Sequence, residues 1–142
     1  MRSFLMVFVM CLSLSAVGQC VKCNAFAEAR KKPEKVISIA INGMMHEAVD
    51  SVPPFIAEFV NLEFLYLTDQ SISKIPNEIS KLTKLKELSF GGCQLTSIPD
   101  FIFEMTHLLE ITIPNNQFTE EYKEVLRKKF QEKMPNTKVM ID

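Results

Sequence analysis

A valine- or isoleucine-proline pair returns every 23 residues in this chain: Val52-Pro53, Ile75-Pro76 and Ile98-Pro99. A fixed period of this length constrains the fold more than any local propensity, because each copy must form the same unit and stack on its neighbour. The apolar positions between the prolines keep step. Leu62, Leu85 and Leu108 form one column, and Leu65, Leu88 and Ile111 the next. Leu67, Phe90 and Ile113 follow, then Gln70, Cys93 and Asn116, then Ile72, Leu95 and Phe118. Each copy reads L-x-x-L-x-L-x-x-(N/C/Q)-x-L-x-x-(I/V)-P, and three copies occupy residues 52–120.

The pattern has a direct physical reading. Alternation at Leu65-Leu67, Leu88-Phe90 and Ile111-Ile113 predicts three short strands with one face buried. After each strand the chain must turn, and the residue in the Gln70/Cys93/Asn116 column points inward to serve backbone groups left unpaired there. Asn116 suits this best because its amide both donates and accepts. Cys93 is a small buried substitute, and the longer Gln70 predicts a looser first turn. Pro53, Pro76 and Pro99 fix φ where the chain enters its return segment. Phe55-Ile56-Phe59, Ile79-Leu82 and Ile102-Met105 then predict a short helix or 3₁₀ turn at the back of each copy.

The flanks read as caps. Val36 to Ile41 is β-branched and alternating, and predicts a first strand that shields the N-terminal edge, with its turn reaching residue 51. Thr119 looks like a helix N-cap followed by Glu120 and Glu121, with an apolar stripe of Tyr122, Val125, Leu126, Phe130 and Met134. Arg127, Lys128 and Lys129 fall toward the helix C-terminus; Pro135-Asn136 ends the helix, and Thr137 to Ile141 reads as a last strand. Residues 121–142 thus form a C-terminal cap, and about five parallel strands are expected.

This arrangement resembles the leucine-rich repeat family in its 23-residue class. The resemblance implies an α/β solenoid, with short parallel strands on a concave face and short helices on the convex side. It also implies recognition of a protein or a glycan without catalysis. An export signal, a lack of Trp and this repeat together look bacterial.

That signal lies at the N-terminus. Arg2 precedes an apolar run, Phe4 to Val17, broken only by Ser13 and Ser15. The run is shorter than the roughly 20 residues of a spanning helix and fits a secretory signal peptide over residues 1–18. Ala16-Val17-Gly18 places small residues for a cut before Gln19; Ala25-Phe26-Ala27 is a second, more distant site. Cys20 offers an alternative as a candidate lipidation site, although Gln19 is a poor match just before it. Residues 19–35 are polar and read as a flexible tether. The chain is therefore expected to be secreted, periplasmic or surface-anchored, touching a membrane only through such a lipid. Cys20 and Cys23 form a lone C-x-x-C. A redox motif would want a βαβ context and zinc would want two further ligands, which leaves a local disulfide or two plain thiols.

Catalytic constellations are missing. There is no H-E-x-x-H, G-x-S-x-G or phosphate loop, and His46 and His107 are isolated, the latter expected to face solvent. Gly91-Gly92 reads as a local bend. No cofactor is implied, and a net charge of -1 gives no basic stripe for nucleic acid. Asp69, Glu87 and Glu110 are expected to crowd on one face, where solvated carboxylates of a binding surface are the plainer reading than an acid/base pair. The expected partner-binding residues are Glu63, Phe64, Tyr66, Asp69, Glu87, Ser89, Leu109, Glu110 and Thr112. Phe64 and Tyr66 stand out, since large aromatics facing solvent are typical binding anchors. Phe64 could instead pack under the N-terminal cap. Self-association through the ends of the solenoid, as a structural envelope protein, is the alternative function.

Overall fold

A computed structural model describes residues 21–46 and 48–142. The expected export segment, the cut after Gly18 and Cys20 lie outside the described residues. Six parallel strands stand side by side in chain order: β1 (Lys22–Cys23), β2 (Ser38–Asn42), β3 (Phe64–Thr68), β4 (Glu87–Ser89), β5 (Glu110–Thr112) and β6 (Lys138–Met140). Each circuit of the chain returns to lay its strand on the one before. The columns read from the sequence are true neighbours: Leu65 lies opposite Leu88, and Leu88 opposite Ile111. All three are buried, as are the Leu62 and Leu67 columns beside them.

Behind the strands run three 3₁₀ turns, Pro54–Glu58, Asn77–Lys81 and Asp100–Glu104. Pro53, Pro76 and Pro99 precede them with φ of -69°, -76° and -68°, the angle the pyrrolidine ring imposes. Ile56 and Phe59, Ile79 and Leu82, and Ile102 and Met105 are buried pairs three residues apart. In each pair the first residue lies within the 3₁₀ turn and the second caps it, its N–H donating to the first residue's carbonyl in the i to i+3 pattern of that helix.

The inward-pointing column closes each turn. Asn116 Oδ1 accepts the Leu95 N–H at 2.9 Å, and its Nδ2 donates to the Phe90 and Ile113 carbonyls at 2.7 and 3.0 Å. The Cys93 thiol donates to the Leu67 carbonyl at 3.3 Å. The first turn is not the looser one. Gln70 is 3% exposed; its Oε1 accepts the Val49 N–H at 2.7 Å and its Nε2 donates to the Ile41 and Thr68 carbonyls at 3.2 and 3.0 Å. The register explains why a longer side chain belongs there. Ile39 pairs with Leu65, an offset of 26 residues rather than 23, so the first circuit is wider and its loose backbone lies further off. Just before this column, Asp69, Gly92 and Asn115 all adopt positive φ (54°, 67° and 55°), a left-handed step that Gly, Asn and Asp make most readily. Gly91-Gly92 is thus the bend expected there.

The N-terminal flank differs from expectation. Part of the segment read as tether carries β1, a short helix α1 (Phe26–Ala29) and a 3₁₀ turn Pro33–Lys35. Cys23, Phe26, Ala29 and Val36 are buried in the same core as the repeats. Phe26 meets Phe55 edge-on at 6.2 Å, Phe55 meets Phe59 at 6.1 Å, and the Arg30 guanidinium lies 4.4 Å over the Phe55 ring. So few apolar residues in so short a piece carry no readable period, because the signal needs a window of roughly 11 to 18 residues. The strand expected over residues 36–41 is consequently an inner one, β2, with β1 outside it, and among the described residues the sheet has six strands rather than about five.

At the other end, helix α2 (Glu120–Lys133) opens with the Thr119 hydroxyl accepting the Tyr122 N–H at 3.2 Å. Leu126, Phe130 and Met134 are buried, whereas Val125 is 55% exposed. At about 100° per residue Val125 sits a quarter-turn off the line of Leu126 and Phe130, which corrects the expected stripe.

Candidate functional site

Side chains alternate across a strand, so the residues flanking the buried columns all face out from the sheet. The register sets them in rows. Ser38, Phe64, Glu87, Glu110 and Lys138 form one row, and Ala40, Tyr66, Ser89, Thr112 and Met140 the next. Phe64 and Tyr66 are half-buried neighbours with near-parallel rings, 28° apart in plane and 6.3 Å between centroids. Phe64 therefore leans on Tyr66 on the open side of the sheet. Leu109, just before β5, is 59% exposed.

The charges of this face are mostly answered within it. Lys86 meets Glu63 at 2.6 Å, and Lys138 meets both oxygens of Glu110 at 3.0 and 3.1 Å. The Tyr66 hydroxyl donates to Glu87 Oε2 at 2.5 Å. Burial, then this bond and the charges of Glu87 and Glu110, push the Tyr66 phenol up from its ordinary value, so it stays a donor. Glu87 and Glu110 do lie directly opposite each other in β4 and β5. Each accepts from its own donor, Glu87 from Tyr66 and Glu110 from Lys138.

Two site residues stand elsewhere than expected. Asp69 does not join the other carboxylates. It sits in the left-handed turn after β3, where its Oδ2 accepts from Asn42 Nδ2 at 3.1 Å. Ser89 was expected to be open but is only 6% exposed, its short side chain lying between Tyr66 and Thr112 in the row. Glu63, Phe64, Tyr66, Glu87, Leu109, Glu110 and Thr112 do share the outer face or its border. Two features were not foreseen. Lys138, 28 residues from Glu110, is placed only by the register of the last strand. The turn after β2 presents Met44 and Met45 at 81% and 58% exposure, held by Met44 N–H donating to Asn42 Oδ1 at 2.8 Å. An adjacent methionine pair beside Asn-Gly was the available signal.

Among the described residues no group of three or more His, Cys, Asp or Glu is placed to hold a metal ion. His46 Nδ1 accepts the Asn42 N–H at 3.1 Å, and exposed His107 places Nε2 3.2 Å from the Leu82 carbonyl. No described helix is long and apolar enough to cross a membrane.

Residues 60–103 match the family described as leucine-rich repeats (2 copies). No curated protein matches the chain in sequence. Among solved structures, a leucine-rich repeat protein of Leptospira interrogans is similar at 27% identity with a TM-score of 0.65, over 79% of this chain and 26% of that one. Internalin C2 from Listeria monocytogenes is similar at 16% identity with a TM-score of 0.56, over 83% of this chain and 56% of that one, a likeness of fold alone. The chain thus spans less than two thirds of either. Matched repeats at 60–103 and a parallel sheet stacked in chain order give this chain the α/β solenoid fold of leucine-rich repeat proteins.

Proposed function

We propose that the chain is a non-catalytic binding module whose concave face, centred on Phe64 and Tyr66, receives a partner protein outside the cytoplasm. The observation that carries this reading is the stacked aromatic pair on the open side of a sheet whose other side is fully packed. Stacked repeats present a regular curved surface, and rigid aromatics on such a surface supply contact area at low entropic cost. Six strands about 4.8 Å apart give a face roughly 24 Å across. A standard interface takes about 800 Å² per partner, so nearly the whole face is used and the affinity is modest.

Export is supported by Arg2 and the apolar run Phe4 to Val17. It is also supported by Cys23, which is disulfide-bonded, a state that persists in oxidising compartments. The intact mass of the exported protein distinguishes cleavage after Gly18 from lipid attachment at Cys20. A second reading, self-association through the solenoid ends, draws support from β6, the last strand of the sheet, where Met140 is 41% exposed. It predicts assembly that grows with concentration in sedimentation runs, and a strict monomer at high concentration removes it.

The deciding experiment places a photo-crosslinking residue at position 66 in the native cell, with a control on the opposite surface at Lys81. One discrete protein adduct at 66 and none at 81 is the expected result. A glycan adduct would change the class of partner. Silence at 66 would refute the binding face.

A further inference from the structure

The carboxylates of the concave face are not equivalent. Glu63 has Lys86 and Glu110 has Lys138, but among the described residues no cation lies within ion-pair distance of Glu87. Its Oε2 takes the Tyr66 hydroxyl, and its Oε1 has no hydrogen-bond partner among the described residues. Phe64 lies directly opposite Glu87 in the neighbouring strand, so the carboxylate and the two rings share one spot. Ser89 lies directly opposite Tyr66 in the neighbouring strand. Its side chain is on the same side of β4 as Glu87, the residue is 94% buried (6% exposed), and its hydroxyl has no partner among the described residues. Described polar side-chain atoms that are wholly enclosed all have partners, so this hydroxyl must still reach solvent, at the floor between Tyr66 and Thr112.

Each free feature asks for the same chemistry. An ionised carboxylate oxygen only accepts, a serine hydroxyl accepts as well as donates, and aromatic faces attract positive charge. An anion would be repelled by Glu87 and Glu110. A sugar would want a mixture of donors and acceptors, but the nearby donors Tyr66, Lys86 and Lys138 are engaged. A guanidinium meets every requirement. It is planar enough to lie on a ring, and it can donate to two oxygens at once.

We infer that Phe64, Tyr66, Glu87 and Ser89 form a subsite that takes an arginine side chain of the partner protein. This rests on the reading of the concave face as the binding surface, and it names the chemistry that surface recognises.

The test is an amide NMR titration of the folded protein with N-acetyl-arginine amide. N-acetyl-citrulline amide, the uncharged analogue of the same shape, and methyl glucoside serve as comparisons. The arginine probe is expected to shift the amides of residues 64, 66, 87 and 89, with citrulline and the glucoside silent at the same concentration. Glu87→Gln should weaken the arginine response at least about tenfold, the loss expected for a charge-assisted hydrogen bond. Lys81→Ala, an exposed position on the opposite surface, should preserve it. Unchanged amides elsewhere in the same spectra show that each variant is folded. An arginine response centred on Glu63 and Lys86, equal responses from arginine and citrulline, or undiminished binding by Glu87→Gln each overturns the subsite. So does a glucoside response at these amides without an arginine one. If the titration fails while the crosslink from position 66 persists, the arginine subsite is refuted and the binding face stands. Loss of the crosslink strikes at the face itself.

Discussion

Asn116 and Cys93 occupy the same column one repeat apart, so replacing each by alanine compares two ways of closing the same turn. Asn116→Ala removes the acceptor of the Leu95 N–H and the donor to the Phe90 and Ile113 carbonyls, three bonds of 2.7 to 3.0 Å, besides a longer contact of 3.3 Å to the Pro114 carbonyl. A net value of about 1 kcal/mol for each gives a loss of roughly 3 kcal/mol. At about 4 °C per kcal/mol for a chain of this size, Tm falls by roughly 12 °C. Cys93→Ala removes one thiol bond to the Leu67 carbonyl, a weak donor at 3.3 Å, and a single buried sulfur. Its expected loss is about 1 kcal/mol, or about 4 °C. Thermal and urea unfolding followed by circular dichroism reads both. Equal losses in the two variants, or an Asn116→Ala protein that melts within about 4 °C of the parent, would refute this role of the column.

Three further outcomes are expected. Thr119→Ala removes the N-cap of α2 and should lower stability by about 1 kcal/mol in urea, with Thr119→Ser restoring it. Gly43→Ala would place a Cβ 1.8 Å from the Asp69 carbonyl oxygen, which is backbone and cannot swing aside. The urea midpoint should drop by the equivalent of about 2 kcal/mol, and an unchanged midpoint would show that β2 and β3 can part there. Asp142 is held below its ordinary 3.8, chiefly by its hydrogen bond to Arg127 and then by Lys123. Its stabilising contribution is therefore complete above that ordinary value and disappears as pH falls through the lower folded one. Hydrogen exchange at β6 should accelerate over that acid range, and Asp142→Asn should show the faster exchange already at neutral pH.

Much of the architecture was legible in the sequence because repetition averages out local ambiguity. The column of Leu65, Leu88 and Ile111 is visible without coordinates, and the spacing of Ile79 and Leu82 already points to a short helix or 3₁₀ turn. Elements that occur once were harder to read. Cys23, Phe26 and Ala29 belong to the core, yet nothing in the repeat points to them. Gln70 looked like a misfit because the 26-residue first circuit emerges only from the pairing of Ile39 with Leu65. The site divided along the same line. Tyr66 and Glu87 could be placed on one face from alternation alone. The burial of Ser89 and the capture of Glu110 by Lys138 depend on side chains meeting across strands, which no spacing rule encodes.

The uneven circuit lengths also say where this protein can be rebuilt. Successive core positions are separated by 26, 23, 23 and 28 residues, from Ile39 to Leu65, Leu88, Ile111 and Val139, yet the strands stay in step. Length is therefore absorbed in the excursions between strands, and the sheet does not register it. The Met44-Met45 tip is the natural place for grafting. A tag or a donor-acceptor dye pair inserted there would extend an existing detour and leave the recognition face in its original geometry.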